Sequence, residues 1–241
     1  MMGSPVDEPE RYSNEFQRQV SVSSFYMGKY EVSQAEYQEL MGTNPSFFKG
    51  PDLPVEQVTW FNVIEYCNKL SEREGLEPAY TITGQNVSWN RNANGYRLPT
   101  EAEWEFACRA GTTTPFSTGN NITTAQGNYD GSRPYNKNAR GSYRQRTTVV
   151  GSFQPNSLGL YDMHGNVGEW CWDWYAEYTK GTQADPAGAV SGSHRVFRGG
   201  GWNHPADFLR SARRGGIMPS TRGYYLGFRL ARNGVVNNGE N

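Results

Sequence analysis

The chain has 241 residues, 36% of them hydrophobic and 14% aromatic, and a formal charge of −1. That length and apolar content suffice for the core of one sizeable domain, and the near-neutral balance excludes a chain that is basic or acidic throughout. No apolar run is long enough for a transmembrane helix, no signal peptide stands out, and three cysteines cannot form a closed disulfide framework.

Met1-Met2-Gly3-Ser4 reads as an appended start, behind which a native leader or lipid anchor would leave no trace. Residues 1–27 read as an N-terminal extension with a first strand, and 28–233 as one domain without internal repeats. Ser33 and Glu36 form a capping box ahead of Tyr37, Leu40 and Met41, and Gly42 supplies the stop. A second helix is predicted from about Trp60 to Ser71, with Val63, Ile64, Cys67 and Leu70 along one stripe. Thr100 and Glu103 make another capping box, leading into Trp104, Ala107 and Cys108 before Gly111 ends the helix. Glu101, Glu103 and Glu105 alternate at this helix start, where they favour the helix dipole; a general acid/base pair explains them less well. Cys67 and Cys108 fall on apolar helix faces, and Cys171 lies between Trp170 and Trp172, so all three read as structural thiols. The stretch 112–148 is polar, yet Phe116, Tyr129, Tyr135 and Tyr143 make it too aromatic for a linker. With 28 Gly, 13 Pro and 7 Trp, the whole reads as an irregular α+β domain of short helices, small sheets and long loops.

Asp162-x-x-Gly165-x-Val167-x-Glu169 places two carboxylates around a tight glycine turn whose carbonyls can face inward, an all-oxygen set suited to Ca²⁺. The competing reading is that Glu169 caps the turn or pairs with an arginine. His164 lies in this turn and reads as structural, and His194 as a solvated loop residue.

From 195 to 232 there are eight Arg against one acid, Asp207, a local charge of +7. The block has no Lys, and its Arg stand beside Gly and aromatic residues. They are therefore expected to be buried forks tying loops to carbonyls and carboxylates, and not a nucleic-acid surface. A frame of Arg195-Val196-Phe197-Arg198-Gly199-Gly200, Trp202, Arg210-Ser211-Ala212, Arg214, Pro219, Arg222 and Gly227-Phe228-Arg229-Leu230 encloses a mixed filling. The filling is Asn203, His204, Pro205, Asp207, Phe208, Arg213, Gly215, Gly216, Ile217, Met218, Thr221, Gly223, Tyr224 and Tyr225. It follows neither a helical nor a strand period.

Six runs in order carry a family resemblance over nearly the whole chain. They are Gly28-Lys29-Tyr30-Glu31-Val32-Ser33, residues 54–60 (PVEQVTW), residues 96–105 (YRLPTEAEWE), residues 159–170 (GLYDMHGNVGEW), Arg198-Gly199-Gly200 and Gly227-Phe228-Arg229. Together they resemble the sulfatase-modifying, formylglycine-generating-enzyme domain, which implies a C-type-lectin-like fold. In the family's enzymes two cysteines follow the Arg-Gly-Gly frame, and those positions here hold His204 and Leu209. The resemblance also implies a structural Ca²⁺ held by the side chains of Asp162 and Glu169 and the carbonyls of Gly165 and Val167. A non-haem iron site finds no fitting histidine spacing.

From Asn203 to Tyr225 there is no Lys, Glu, Gln or Trp. Met218 excepted, the filling belongs to the set encoded when both adenines of an Asn codon are randomised. This resembles the variable region of proteins diversified by a retroelement, lying about 195–231. The resemblance implies a non-enzymatic, receptor-like protein at a bacterial surface that binds another macromolecule, a protein in the first place. A formylglycine-generating oxidoreductase with an altered site is the alternative.

Overall fold

The computed structural model describes residues 1–234. Strand β1 (Val20–Ser21) is followed by β2 (Phe25–Met27), helix α1 (Gln34–Met41), helix α2 (Trp60–Arg73), β3 (Tyr80–Thr83), β4 (Asn86–Trp89), β5 (Tyr96–Arg97) and helix α3 (Glu101–Arg109). Then come β6 (Gly168–Trp174), β7 (Gln183–Ala184), β8 (Arg195–Arg198), β9 (Gly215–Ile217), β10 (Leu226–Gly227) and β11 (Ala231–Asn233).

All three helices start where local chemistry places them. Ser33 and Thr100 close the expected capping boxes with Glu36 and Glu103, and Thr59 closes a third with Asn62. Each box satisfies two backbone N–H groups that would otherwise lack partners. Gly42 ends α1 in the left-handed region at φ 75°. In α3 that conformation falls on Ala110 at φ 48°, one residue before the expected Gly111. The stripe Val63, Ile64, Cys67 and Leu70 of α2 is buried, stacked with Trp60, Tyr66, Trp170 and Phe228 in the largest core.

Around these helices the strands are short. β6 is the longest, and its sheet runs β10-β6-β8-β9, with β10 parallel to β6 and the other pairs antiparallel. A second sheet, β2-β11-β5, ties the chain's start to residues 231–233, and β3 and β4 form a hairpin. The first residues belong to the same body. Met2 and Ser4, expected to be part of an appended start, are buried, and the Gly3 N–H donates to Glu105 at 2.8 Å. Bridges from Met2 to Arg18 and from Ser4 to Phe16 close residues 1–18 into a strap, which Gly3 ties to Glu105 and Arg109 of α3.

Candidate functional site

Five of the eight C-terminal arginines are buried: Arg195, Arg198, Arg210, Arg214 and Arg229. Arg198 donates to the carbonyls of Ser211, Ala212 and Arg213 and pairs with Glu105. Arg214 forks onto Glu101 at 2.6 and 2.8 Å. Arg210 reaches Glu8 at 2.6 Å and Glu15 at 2.8 and 2.9 Å, both on the N-terminal strap. Arg229 forks onto Glu169 at 2.7 Å twice and also donates to the Tyr161 carbonyl. The Arg198, Arg210, Arg214 and Arg229 contacts are charge-assisted and use most of each guanidinium, so these four act as rigid ties between loops, whereas Arg195 donates to the Trp172 carbonyl and lies over Trp60 and Trp174 without a carboxylate partner among the described residues. Glu101 and Glu105 therefore serve as acceptors for the C-terminal frame, beyond any effect on the helix dipole. Arg222 departs from expectation: it is exposed, with one donation to the Gln57 carbonyl at 2.7 Å.

Gly199 and Gly200, at φ 84° and 69°, turn the chain out of β8. A Cβ on Gly199 would stand 3.0 Å from the Trp104 ring, and one on Gly200 would stand 2.9 Å from Leu209. Only glycine meets both the backbone and the packing demand there. Beyond the turn, Trp202 is buried and its indole N–H donates to the Tyr224 carbonyl at 2.9 Å, holding the two ends of the filling together.

The filling rings interlock above this frame. Tyr224 meets Tyr225 at 5.8 Å, Tyr225 meets His204 edge-on at 5.0 Å, and His204 stacks on Phe208 at 4.9 Å and 4°. The Arg213 guanidinium lies 4.3 Å over Phe208. Met218 and Tyr224 are exposed, whereas Asn203, His204, Pro205, Asp207, Phe208, Arg213, Ile217, Thr221 and Tyr225 are half-buried. Gly223 is buried. Gly215 and Gly216 lie on β9, where a Cβ would come within 2.3 Å of the Phe197 ring and 2.5 Å of the Tyr175 ring. These glycines accommodate neighbouring rings; they do not open hollows at the surface. Packing around His204, then the positive charges of Arg213 and Arg133, pushes it down to about 4, so it is neutral at pH 7.

Three aromatic residues outside the C-terminal block extend the same face. Phe47, 66% exposed, stands 6.2 Å from Tyr224; Tyr143 stacks on Trp202 at 6.0 Å; Tyr12 meets Phe208 at 6.3 Å. Tyr12 also donates to Asp207 at 3.0 Å. Their only sequence signal was aromatic residues within Pro-, Gly- and Asn-rich loops.

Of His204 and Leu209, which the resemblance sets against the enzymes' cysteines, His204 is half-buried and Leu209 is buried. The chain's own three thiols lie elsewhere, all buried, on α2, α3 and β6. Burial pushes Cys108 up to about 12 and the other two further still, so thiolate is suppressed. His164 is structural as expected, with Nδ1 2.8 Å from the Leu209 carbonyl and Nε2 2.9 Å from the Ser117 hydroxyl. His194 is exposed.

Around the expected calcium turn, Glu31, Asp162 and Glu169 are three buried carboxylates facing one cation, Arg229. Burial, with Glu169 adding a smaller push, raises Asp162 to about 6. Its Oδ2 accepts from the Gly151 N–H at 2.6 Å, whereas Oδ1 is buried without a partner. Glu169 also accepts from the Trp104 indole at 2.7 Å. Among the described residues no three His, Cys, Asp or Glu side chains stand together at metal-holding spacing. The clustered carboxylates and an Asp162 Oδ1 without a partner among the described residues are oxygen donors of the kind a hard cation takes, while the Arg229 fork engages both oxygens of Glu169.

A family model described as sulfatase-modifying factor enzyme 1-like domain matches residues 2–234. The chain is 40% identical over 209 residues to the chaperone protein LppX of Paenibacillus barcinonensis, covering 77% of this chain and 71% of that one. Over 254 residues it is 31% identical to the formylglycine-generating enzyme of Mus musculus, covering 89% and 67%. It spans only 27% of the serine/threonine-protein kinase pkn1 of Chlamydia pneumoniae, to which it is 36% identical over 69% of its own length. Among solved structures, Treponema denticola variable protein 1 superposes with a TM-score of 0.87 at 35% identity, over 97% of this chain and 92% of that one. The expected fold, α+β and C-type-lectin-like of the formylglycine-generating type, is therefore the observed one.

Proposed function

This chain belongs to the sulfatase-modifying factor enzyme 1-like family, and within it we propose a non-enzymatic, ligand-binding role in which the filling at 203–225 forms a diversified contact face. One observation carries the reading: the frame is held by buried arginine forks and Trp202, while the filling rings lie over it in a contiguous row. A fixed scaffold beneath changeable side chains is what a diversified binder needs. Similarity to a variable protein supports the same reading. Tyr224, Tyr225 and Phe208 supply rigid area, and Asn203, Asp207 and Thr221 adaptable hydrogen bonding, a composition suited to a protein surface. With five of the eight arginines committed inside the fold, the basic block does not present a phosphate-facing stripe. Display at a bacterial surface matches this role.

A displayed library randomised at Asn203, Asp207, Phe208, Arg213, Met218, Thr221, Tyr224 and Tyr225, selected against a globular protein, tests the proposal. Folded, saturable binders are expected. A library whose members mostly fail to fold would refute it.

The oxidoreductase alternative needs a reactive thiolate on this face, and residues 195–231 contain no cysteine. Incubating a sulfatase-type Cys peptide with the protein, copper and oxygen should leave its mass unchanged. Conversion to the aldehyde would overturn the binding role. We also propose that Asp162 and Glu169, with the carbonyls of Gly165 and Val167, hold a structural Ca²⁺, supported by the surplus of carboxylates and the unpartnered Asp162 Oδ1.

A further inference from the structure

Away from the filling, the sheet β2-β11-β5 and the end of β4 border a cleft of about 1060 Å³ that includes none of the filling positions. Its polar groups are lopsided. The two carboxylates in its wall are already engaged: Glu103 receives the Arg97 fork at 2.7 Å twice, and Asp185 accepts from the Ser23 backbone and hydroxyl at 2.6 and 2.7 Å. Asn233 Oδ1 accepts from Arg97 at 2.9 Å.

The uncommitted groups are donors. Arg91 makes one hydrogen bond, to the Asp185 carbonyl, and Arg232 makes one, to the Asn94 carbonyl, which leaves most of each guanidinium without a partner among the described residues. Asn94 Oδ1 accepts from Glu77, while its amide nitrogen donates to nothing there. Behind them the Trp89 indole N–H is sealed in the wall without a partner among the described residues. The guanidiniums are held in place by rings, Arg91 5.2 Å over Trp89 and Arg232 5.9 Å over Tyr96.

We infer that this cleft is a second binding site, for a carboxylated saccharide. Two largely unpaired guanidiniums favour a ligand with oxyanion oxygens, which such forks bind in pairs. The volume is that of a site for a molecule of one to a few rings. The rim of Ser23, Ser24, Asn92, Asn94 and the exposed Tyr26 suits ring hydroxyls.

Calorimetric titration of the full chain with digalacturonic acid tests the inference, with its neutral dimethyl ester and inorganic sulfate as comparisons. Saturable binding of the acid is expected, with the ester at least about tenfold weaker. The double variant Arg91→Ala/Arg232→Ala should lose at least tenfold in affinity with an unchanged far-ultraviolet spectrum, since Arg91 is exposed and Arg232 half-buried. Tyr224→Ser, outside the cleft lining, should bind the acid as the parent does. Equal binding of acid and ester, full competition by sulfate at the same concentration, no binding of the acid, or an unaffected double variant would each overturn the inference. None of these outcomes bears on the contact face at 203–225.

Discussion

If the filling lies on a self-sufficient frame, stability should separate the two classes of residue, with a graded middle that burial defines. Phe228 is fully buried and packs edge-on against Tyr66 at 5.2 Å and Tyr37 at 6.4 Å. Phe228→Ala removes a ring from a close-packed site that cannot collapse, at about 3–5 kcal/mol. For a domain of this size that lowers Tm by on the order of 10 °C. Tyr224 is 43% exposed and Met218 55%. Tyr224→Ser and Met218→Ser should cost about 0.5 kcal/mol or less, within roughly 2 °C. Phe208, Ile217 and Tyr225 pack against core clusters from half-buried positions and should fall between, near 1 kcal/mol. Gly215→Ala should be worse than its size suggests, about 1–3 kcal/mol, because its Cβ would meet the Phe197 ring at 2.3 Å. Guanidinium melts followed by tryptophan fluorescence give all seven values on one scale. Equal losses for Tyr224→Ser and Phe228→Ala would refute the separation of frame from filling, and a neutral Gly215→Ala would refute the packing constraint on β9.

Three further outcomes are expected. Arg210→Met leaves the buried carboxylates of Glu8 and Glu15 without their cation and should destabilise by about 3–5 kcal/mol, read by thermal melt; a loss below 1 kcal/mol would show that the strap does not depend on it. Excess chelator should lower Tm through loss of an ion bound only to the folded state, and Glu169→Gln should remove that sensitivity; an unchanged melt in chelator would leave Glu169 as the partner of Arg229 alone. His204 is held at about 4 in the fold against about 6.5 when unfolded. The unfolded state therefore binds its proton first, and this residue's contribution to stability is lost as pH falls from about 6.5 to about 4. The Tm of His204→Asn should accordingly fall less steeply than the parent's over that interval, and parallel curves would contradict it.

Local chemistry written in the sequence determined the three helices, since a capping box needs only residues three apart and a stripe only the helical period. The split of 195–231 into frame and filling was also legible, because the filling breaks both periods and draws on a restricted residue set. What the sequence could not supply was partnership across the chain. Glu101 and Glu105 looked sufficient as dipole partners for α3; the fold sets them against Arg214 and Arg198, about a hundred residues away. Residues 1–4 read as an appended start and 1–27 as an extension, yet within that stretch Glu8 and Glu15 reach Arg210 and Tyr12 reaches Phe208. Tertiary structure alone also decided that Arg222 faces solvent, that Gly215 and Gly216 accommodate rings, and that Phe47 and Tyr143 join the contact face. Periodicity reports which side of an element is apolar, whereas the partner of a charge or ring is set by which loops the topology brings within a few ångströms, and that information is not local.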